Sequence, residues 1–193
     1  MHTADHFFDE LVRKGECKMR KIVVVPHENH WNEKFQIEAE RLKSAMPEMV
    51  KVHHIGSTSV PGLAAKPIID MIMEVESIDR VDHWNERFEE LGYIVKGENG
   101  ISRRRYFIHG TEEKRSYHLH VFERGNPEIV RHLAFLRDYM MAHCEEAEAY
   151  ATLKRELAEK YTYDGTLYSE GKTEFVRNVD EKAKKWRENN VNE

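Results

Sequence analysis

Long apolar runs and paired cysteines are both missing from this 193-residue sequence. Its longest largely apolar stretches, such as residues 22–26 and 67–73, have the length of a strand, whereas a bilayer-spanning helix needs about 20 apolar residues. The charged first residues carry no signal-peptide core, so we expect a cytoplasmic protein with no membrane partner. Cys17 and Cys144 lie far apart with no second thiol nearby, so neither a disulfide scaffold nor a thiolate zinc site is expected.

An excess of positive charge is also missing. The chain has 30 Lys and Arg residues against 35 Asp and Glu residues, which gives a formal net charge of -5. Duplex nucleic acid is bound through a broad basic field, so we do not expect it as a partner. A nucleotide or another small phosphorylated ligand is compatible with this charge.

The spacing of apolar residues changes near Pro127 from a period of two to a period of 3.6, which indicates a switch from strands to helices. Before that point we predict strands over residues 21–25, 50–55, 67–75, 93–96, 103–108 and 117–123, and helices over residues 31–46 and 81–91. The last three strands are expected to be antiparallel neighbours. The predicted class is α/β (α+β), a mixed sheet with flanking helices and a helical C-terminal region.

The same pattern divides the chain into three parts. We predict a peripheral lead-in over residues 1–20, an α/β core over residues 21–126 and a helical region over residues 127–188 that packs on the core. The length fits one domain with a helical extension.

Residues 54–62, HIGSTSVPG, join a predicted strand to a short helix. Gly56 lets the backbone approach a ligand, the hydroxyls of Ser57 and Thr58 can donate to phosphate oxygens, and a helix N-terminus supplies free N–H groups. We therefore interpret this segment, with His54, as a phosphate cradle. An ordinary strand-to-helix turn capped by a hydroxyl is the alternative.

A carboxylate such as Asp70 inside an apolar strand is costly unless it is paired, hydrogen-bonded or bound to a metal. Strand alternation places Ile72 and Glu74 on the face of Asp70. On a later strand it places His118 and His120 on one common face. Two imidazoles and an acid suit a shared metal or phosphate site. A solvated edge strand with half-buried histidines is the alternative.

Three consecutive arginines precede the histidine-bearing strand. Alternation puts Arg103 and Arg105 on one face of their strand and Arg104 on the other. We assign Arg103 and Arg105 as candidate phosphate ligands because guanidinium groups bind phosphate oxygens in pairs. A solvated charged edge is the default alternative.

The seventeen residues 54–70, HIGSTSVPGLAAKPIID, resemble the signature of the GrpB family. Further matches in that family's order are residues 118–121 (HLHV), residues 136–139 (LRDY), Tyr150 with residues 153–154 (LK), and Tyr168 with Lys172. Members of this family are similar to the nucleotidyltransferase superfamily. The resemblance therefore implies a nucleotidyltransferase-like fold for the core.

In that superfamily a Gly-Ser turn holds the nucleotide phosphates and three strand carboxylates hold two Mg²⁺ ions. The Gly-Ser turn and Asp70 of this chain match the pattern. The second acid position is occupied by Ile72, and His118 or His120 stands in the place of the third acid. The resemblance thus implies a divalent ion, Mg²⁺, Mn²⁺, Zn²⁺ or Ni²⁺, held by Asp70 and the two histidines, with magnesium binding weakened because histidine suits softer metals.

Three functions remain open on these residues. The first is binding of a nucleotide or phosphorylated small molecule with metal-dependent nucleotidyl transfer, the second a non-catalytic nucleotide-binding or regulatory domain, and the third a phosphohydrolase built on histidine-bound metal. We assign Asp70 and His120 as candidate catalytic residues and Asp70, His118 and His120 as candidate metal ligands. The candidate phosphate-binding residues are His54, Gly56, Ser57, Thr58, Lys66, Arg103, Arg105, Lys154 and Lys172.

Overall fold

A computed structural model of the chain describes residues 20–46, 49–111 and 113–190, with side chains for all of these except residues 134–136 and 190. The predicted lead-in over residues 1–20 lies outside the described residues, apart from Arg20. The first described segment packs Ile22 against Leu157 and Tyr168 of the helical region. Within the described part of the chain, no helix is long and apolar enough to cross a membrane.

Five strands form one mixed sheet. Their bounds are Met49–Ile55 (β1), Ile69–Val75 (β2), Tyr93–Val95 (β3), Arg104–Gly110 (β4) and Arg115–Glu123 (β5). The spatial order is β1-β2-β5-β4-β3, with β2 and β5 parallel and all other neighbours antiparallel. The predicted mixed sheet, and the antiparallel arrangement of its last three strands, are confirmed.

The strand predicted over residues 21–25 is wrong. Val25 forms an isolated bridge with Ala65, in which the two residues exchange N–H···O bonds of 2.9 and 3.0 Å. In an antiparallel ladder the next hydrogen-bonded pairs would be Val23 with Pro67 and His27 with Leu63. A proline has no N–H to donate, and the Leu63 N–H donates to the Val60 carbonyl instead. The β-branched run therefore touches the turn after β1 at one point instead of joining the sheet.

The helices form two groups. Between the strands lie α1 (His30–Ala45), a 3₁₀ turn (Ser57–Ser59), a 3₁₀ stretch (Ile78–Trp84) and α2 (Asn85–Glu90). After the sheet come α3 (Pro127–Val130), a π-helical stretch (Arg131–Asp138), α4 (Tyr139–Ala142), α5 (Cys144–Lys160), α6 (Gly165–Glu170) and α7 (Thr173–Asn190). The helix predicted over residues 81–91 thus begins as 3₁₀ helix. Asn126 starts α3 by accepting the N–H of Glu128, with Pro127 in the first turn, where it needs no donor.

One face of the sheet is covered by α1, the 3₁₀ stretch and α2, and forms the main core. Met71 of β2, Phe107 of β4 and Leu119 of β5 pack there in one cluster with Trp31 and Phe88, and all five are fully buried. Alternate residues along these strands are apolar, so the burial of this face follows from the period-2 pattern.

The opposite face, called the cleft face below, carries the polar side chains. In the parallel register of β2 and β5, Asp70 is paired with His118 and Ile72 with His120, and paired residues point to the same side of a sheet. One end of this face is closed by Ile129 of α3, which shares an apolar cluster with Ile72. At the other end the C-terminal helices leave a cavity.

Candidate functional site

A cavity of about 300 Å³, called the cleft below, lies between the cleft face and the C-terminal helices. Side chains from β2, β4 and β5 line it on one side, and side chains from α5, α6 and the turn after α6 line it on the other. The structure brings together nine of the predicted site residues in its lining, which are Gly56, Ser57, Thr58, Lys66, Asp70, His118, His120, Lys154 and Lys172.

Gly56 sets the shape of the turn at one wall of the cleft. Its φ of 69° lies in the left-handed region that favours glycine, and a Cβ at this position would lie 2.8 Å from Asp70 Oδ2. The predicted helix N-terminus is only the three-residue turn Ser57–Ser59, in which the N–H and hydroxyl of Ser59 already donate to the Gly56 carbonyl. The positive charge of the cleft therefore comes from side chains and not from a helix dipole.

Asp70 and His118 form a hydrogen-bonded pair across neighbouring strands. His118 Nδ1 lies 2.9 Å from Asp70 Oδ1, and because a carboxylate can only accept, Nδ1 carries the proton. His118 Nε2 is buried and has no hydrogen-bond partner. Burial raises the pKa of Asp70, but the hydrogen bond from His118 and the electrostatic influence of His118, His120 and Lys66 outweigh burial and lower that pKa to about 2. Asp70 is a carboxylate at neutral pH.

His120 has a different partner from His118. Arg104 Nη1 lies 3.3 Å from His120 Nδ1, and because a guanidinium can only donate, this nitrogen accepts and carries no proton. Burial is the main cause that lowers the pKa of His120 to about 3, with Asp70 opposing and His132 and Arg104 assisting. His120 is thus a neutral imidazole with its proton on Nε2.

Lys154 reaches from α5 across to the sheet. Its Nζ donates to Ser57 Oγ at 2.8 Å and to the carbonyl of Ala64, and it lies 4.5 Å from the centre of the Tyr150 ring. Only 2% of this lysine is exposed. An ammonium is therefore held at a fixed place beside the Gly-Ser turn.

Two further lysines lie against one aromatic ring. Lys66, from the sheet side, and Lys172, from the helical side, place their Nζ atoms 4.8 and 4.5 Å from the centre of the Tyr168 ring. An aromatic face attracts cations, which accounts for this arrangement. Within the described residues, neither of them nor Lys154 forms an ion pair with a carboxylate.

The pKa values of these lysines record the cost of burying them. Burial, together with repulsion from Lys172 and Arg155, lowers the pKa of Lys154 from 10.5 to about 7. Burial and Lys172 likewise lower the pKa of Lys66 to about 8, and burial lowers the pKa of Lys172. Asp70 opposes the shift in all three. A bound anion would supply the negative charge that this group lacks.

The carboxylates needed for two magnesium ions are not gathered here. Ile72, at the predicted second acid position, is fully buried in the apolar cluster beneath α3, and Glu74 bonds to His53 of β1. Among the described residues, no three His, Cys, Asp or Glu side chains are grouped so that they could hold a metal. The metal site predicted from Asp70, His118 and His120 is therefore not assembled, and the donor set fits neither paired Mg²⁺ nor a three-ligand catalytic zinc.

Arg103 and Arg105 lie outside the cleft, which corrects their assignment as phosphate ligands. Arg105 makes a two-point contact with Asp82, at 2.7 and 2.8 Å, and Arg103 binds Asp79 and Glu123. Arg104 is the arginine whose side chain points to the cleft face. Arg103 precedes β4 in a turn, with a φ of 61°, so the predicted alternation applies only to Arg104 and Arg105. Arg105 points away from the cleft face, towards its acidic partner.

His54 also lies away from the cleft, so its assignment as a phosphate ligand is corrected. Its ring stacks on Phe35 with 4.8 Å between ring centres, and its Nε2 lies 3.0 Å from Thr58 Oγ1. Burial lowers the pKa of His54 to about 4. The side chains of β1 alternate between the two faces of the sheet, and Ile55, not His54, is paired with Asp70 on the cleft face. His54 supports the turn from behind.

Several residues of the cleft were not predicted as site residues. They are Tyr106, Tyr150, Tyr168 and Ser169. The sequence holds a signal for Tyr150, because it precedes Lys154 by four residues, the spacing that brings side chains together on one helix face. Tyr168 has the same spacing to Lys172, but α6 ends between them. No local signal marks Tyr106 or Ser169.

The family profile described as GrpB protein matches residues 21–182. The chain belongs to the GrpB family. The UPF0157 protein YqkA of Bacillus subtilis (strain 168) is 47% identical over 176 residues, which are 90% of this chain and 51% of YqkA. The glutamate-rich protein GrpB of Alkalihalophilus pseudofirmus is 34% identical over 173 residues, which are 87% of this chain and 96% of that protein. This chain thus spans about half the length of YqkA.

A solved GrpB structure has the same fold. The crystal structure of the conserved protein GrpB from Enterococcus faecalis has a TM-score of 0.80 and 42% sequence identity, and covers 85% of this chain and 99% of that one. A structure of the Cid1 poly(U) polymerase has a TM-score of 0.45 and 12% identity, and covers 80% of this chain and 50% of that one. The likeness to GrpB confirms the mixed α+β fold.

Replacing Gly56 with alanine should disturb the protein more than replacing Gly62. Both have a positive φ, 69° and 80°, so each substitution introduces backbone strain of about 1–2 kcal/mol. A Cβ at Gly56 also meets Asp70, whereas nothing lies within 4 Å of one at Gly62. We expect Gly56→Ala to lower the free energy of unfolding by about 2–4 kcal/mol and Gly62→Ala by about 1–2 kcal/mol. Chemical denaturation measures both, and equal losses would contradict the close contact.

Proposed function

We propose that this chain binds the phosphate groups of a nucleotide or another phosphorylated small molecule in the cleft. The observation that carries the proposal is the convergence of Lys66, Lys154 and Lys172 on a cavity whose lining, among the residues that the structure describes, contains a single carboxylate, Asp70. Three ammonium groups against one carboxylate leave positive charge in a partly enclosed site. Phosphate groups carry the matching negative charge and bind lysine readily.

The size and surroundings of the cleft support a ligand larger than phosphate alone. About 300 Å³ is the lower end of the range for small-molecule sites. The cleft shares Ser169 and Lys172 with an adjoining cavity of about 310 Å³, which Arg131 and Arg177 also line. A nucleotide with a phosphate beside Lys154 therefore has room for its other groups towards α7.

Removing the ammonium of Lys154 should weaken phosphate binding. A hydrogen bond to a charged group contributes about 1.5–3 kcal/mol, so Lys154→Met should raise the Kd for pyrophosphate and for a nucleoside triphosphate at least about tenfold. The matched control is Lys160→Met, because Lys160 lies on the same helix over the ring of Tyr161, with 5.1 Å to the ring centre, and outside the cleft. Isothermal titration calorimetry compares the two variants, and equal affinities would exclude this cleft as the binding site.

Phosphate binding should also weaken as the pH rises through about 7 to 8. Lys154 has a pKa of about 7 and Lys66 of about 8, so each is charged below its pKa and loses its positive charge above it. A phosphate monoester has a second pKa of about 6, so its charge changes little between about pH 7 and pH 8. Titrations of a nucleoside monophosphate at a series of pH values should show the loss, and Lys154→Met should remove its lower step. Affinity that is flat in pH would contradict a role for these lysines.

Nucleotidyl transfer is a second candidate function, favoured by the contact between Asp70 and His118. With its Nδ1–H donated to Asp70, His118 has Nε2 as its remaining basic atom. In this reaction Nε2 takes the proton of an acceptor hydroxyl while the hydroxyl oxygen bonds to the α-phosphorus. The bond between that phosphorus and the pyrophosphate oxygen breaks, and the lysines neutralise the charge on the departing pyrophosphate.

Asp70→Asn should separate binding from transfer. The amide keeps the shape of the carboxylate but removes its negative charge, so nucleotide affinity should stay equal or increase in the positive cleft. Transfer from a labelled nucleotide should fall by about 10²-fold or more, because His118 loses the partner that orients its ring and stabilises the charge the ring gains when it takes the proton. Transfer at the wild-type rate in Asp70→Asn would contradict this second candidate and leave ligand binding as the function.

A further inference from the structure

We propose that the cleft binds its phosphate ligand as a free anion, without a divalent metal ion, and that the ammonium groups of Lys66, Lys154 and Lys172 take the place that metal ions would otherwise fill. The inference rests on the proposed function and names the form of the ligand that the site accepts. It follows from the donors that the cleft face presents, from the contacts of each imidazole and from the arrangement of the lysines.

The described residues that line the cleft offer one carboxylate, Asp70, and that carboxylate is already engaged. Asp70 Oδ1 accepts the His118 N–H at 2.9 Å, and Asp70 Oδ2 packs so closely on Gly56 that a Cβ there would be 2.8 Å away. Glu74 is on the same face of β2, but it bonds to His53 and does not line the cleft. Magnesium needs a near-octahedral set of oxygen ligands, usually with more than one carboxylate or phosphate oxygen.

The imidazoles do not make up for the missing oxygens. His120 Nδ1 accepts a hydrogen bond from Arg104, so its lone pair faces a permanent positive charge. A cation at this nitrogen would therefore lie directly against the guanidinium of Arg104. His118 Nδ1 is protonated towards Asp70, which leaves Nε2 as one free nitrogen. Among the described residues, no three His, Cys, Asp or Glu side chains are grouped as a catalytic zinc site requires.

The lysines supply the positive charge that a metal ion would supply, and the same charge opposes the binding of a metal ion. Lys66 and Lys172 flank the Tyr168 ring, and Lys154 is fixed between Ser57 and the Ala64 carbonyl. Lys172 contributes to lowering the pKa of Lys66, and Lys66 and Lys172 both contribute to lowering the pKa of Lys154. The charges of the three lysines therefore act on one another across the cleft. Adding a dication to this group is unfavourable, whereas adding a phosphate relieves the repulsion.

The first test measures pyrophosphate binding to the full wild-type chain by isothermal titration calorimetry, in EDTA and then with excess Mg²⁺. The Kd in EDTA should agree within about twofold with the Kd in buffer without added chelator, a difference below about 0.5 kcal/mol. Excess Mg²⁺ should weaken binding, because it removes free pyrophosphate from solution and presents a less negative complex to the lysines. Loss of binding in EDTA with recovery in Mg²⁺, Mn²⁺ or Zn²⁺ would overturn the inference.

A second test asks whether a metal can replace a lysine. Lys172→Met should weaken pyrophosphate binding by about tenfold or more, and Mg²⁺ or Mn²⁺ should not restore it. Lys160→Met serves as the control for a lysine outside the cleft. Recovery of Lys172→Met by either ion would show that a metal shares the site, which contradicts the inference.

Direct metal titration tests whether the chain has a metal site, independently of whether it binds phosphate. Mn²⁺ binding to the chain without phosphate, followed by electron paramagnetic resonance, should show no saturable site, whereas His118→Asp, which sets a second carboxylate beside Asp70, is expected to gain one. A stoichiometric Mn²⁺ or Zn²⁺ site in the wild-type chain would overturn the inference even if pyrophosphate binds. Failure of pyrophosphate to bind under every condition would instead reject the proposed function, with the metal result still standing.

Discussion

The parallel pairing of β2 with β5 is the constraint on which the cleft depends. It sets Asp70 opposite His118 and Ile72 opposite His120, so that one acid and two imidazoles share a face while the alternate residues fill the main core. A slip of one residue would turn the apolar residues of one strand to the cleft and its polar residues into the core. The large apolar surface on the covered face therefore holds the register that positions the polar groups.

Much of the sheet and part of the cleft can be predicted from the sequence, because both depend on local rules. Alternation identifies the strands, and an acid in an apolar strand marks Asp70 as a residue that needs a partner. Gly56 is identified by its place between a strand and a hydroxyl-rich turn, and it has the positive φ that such a turn requires. Lys154 and Lys172 are predicted through the resemblance to the GrpB family, because their approach to the cleft depends on how the helices pack.

The wrong assignments of Arg105 and His54 have one physical origin. Alternation divides the side chains of a strand between two faces, but it does not show which of the two faces lines the cleft. The phase of β4 is set by its register with β5, which places Arg104 rather than Arg105 on the cleft face. The phase of β1 is set in the same way, so His54 turns to the core and Ile55 to the cleft face. The protonation of His120 is also a tertiary property, because its acceptor nitrogen is identified only by the contact with Arg104.

The fixed position of Lys154 has a consequence for the selectivity of the cleft. A charged lysine has three N–H donors, and two of those on Lys154 are directed to Ser57 Oγ and to the Ala64 carbonyl. One donor remains, and its direction is set by the other two. The ammonium of an unrestrained lysine is mobile and can bind an anion in many positions. The ammonium of Lys154 is instead a rigid donor, which favours an acceptor oxygen at one location. The cleft should therefore distinguish its ligands by the placement of one oxygen atom as well as by their total charge.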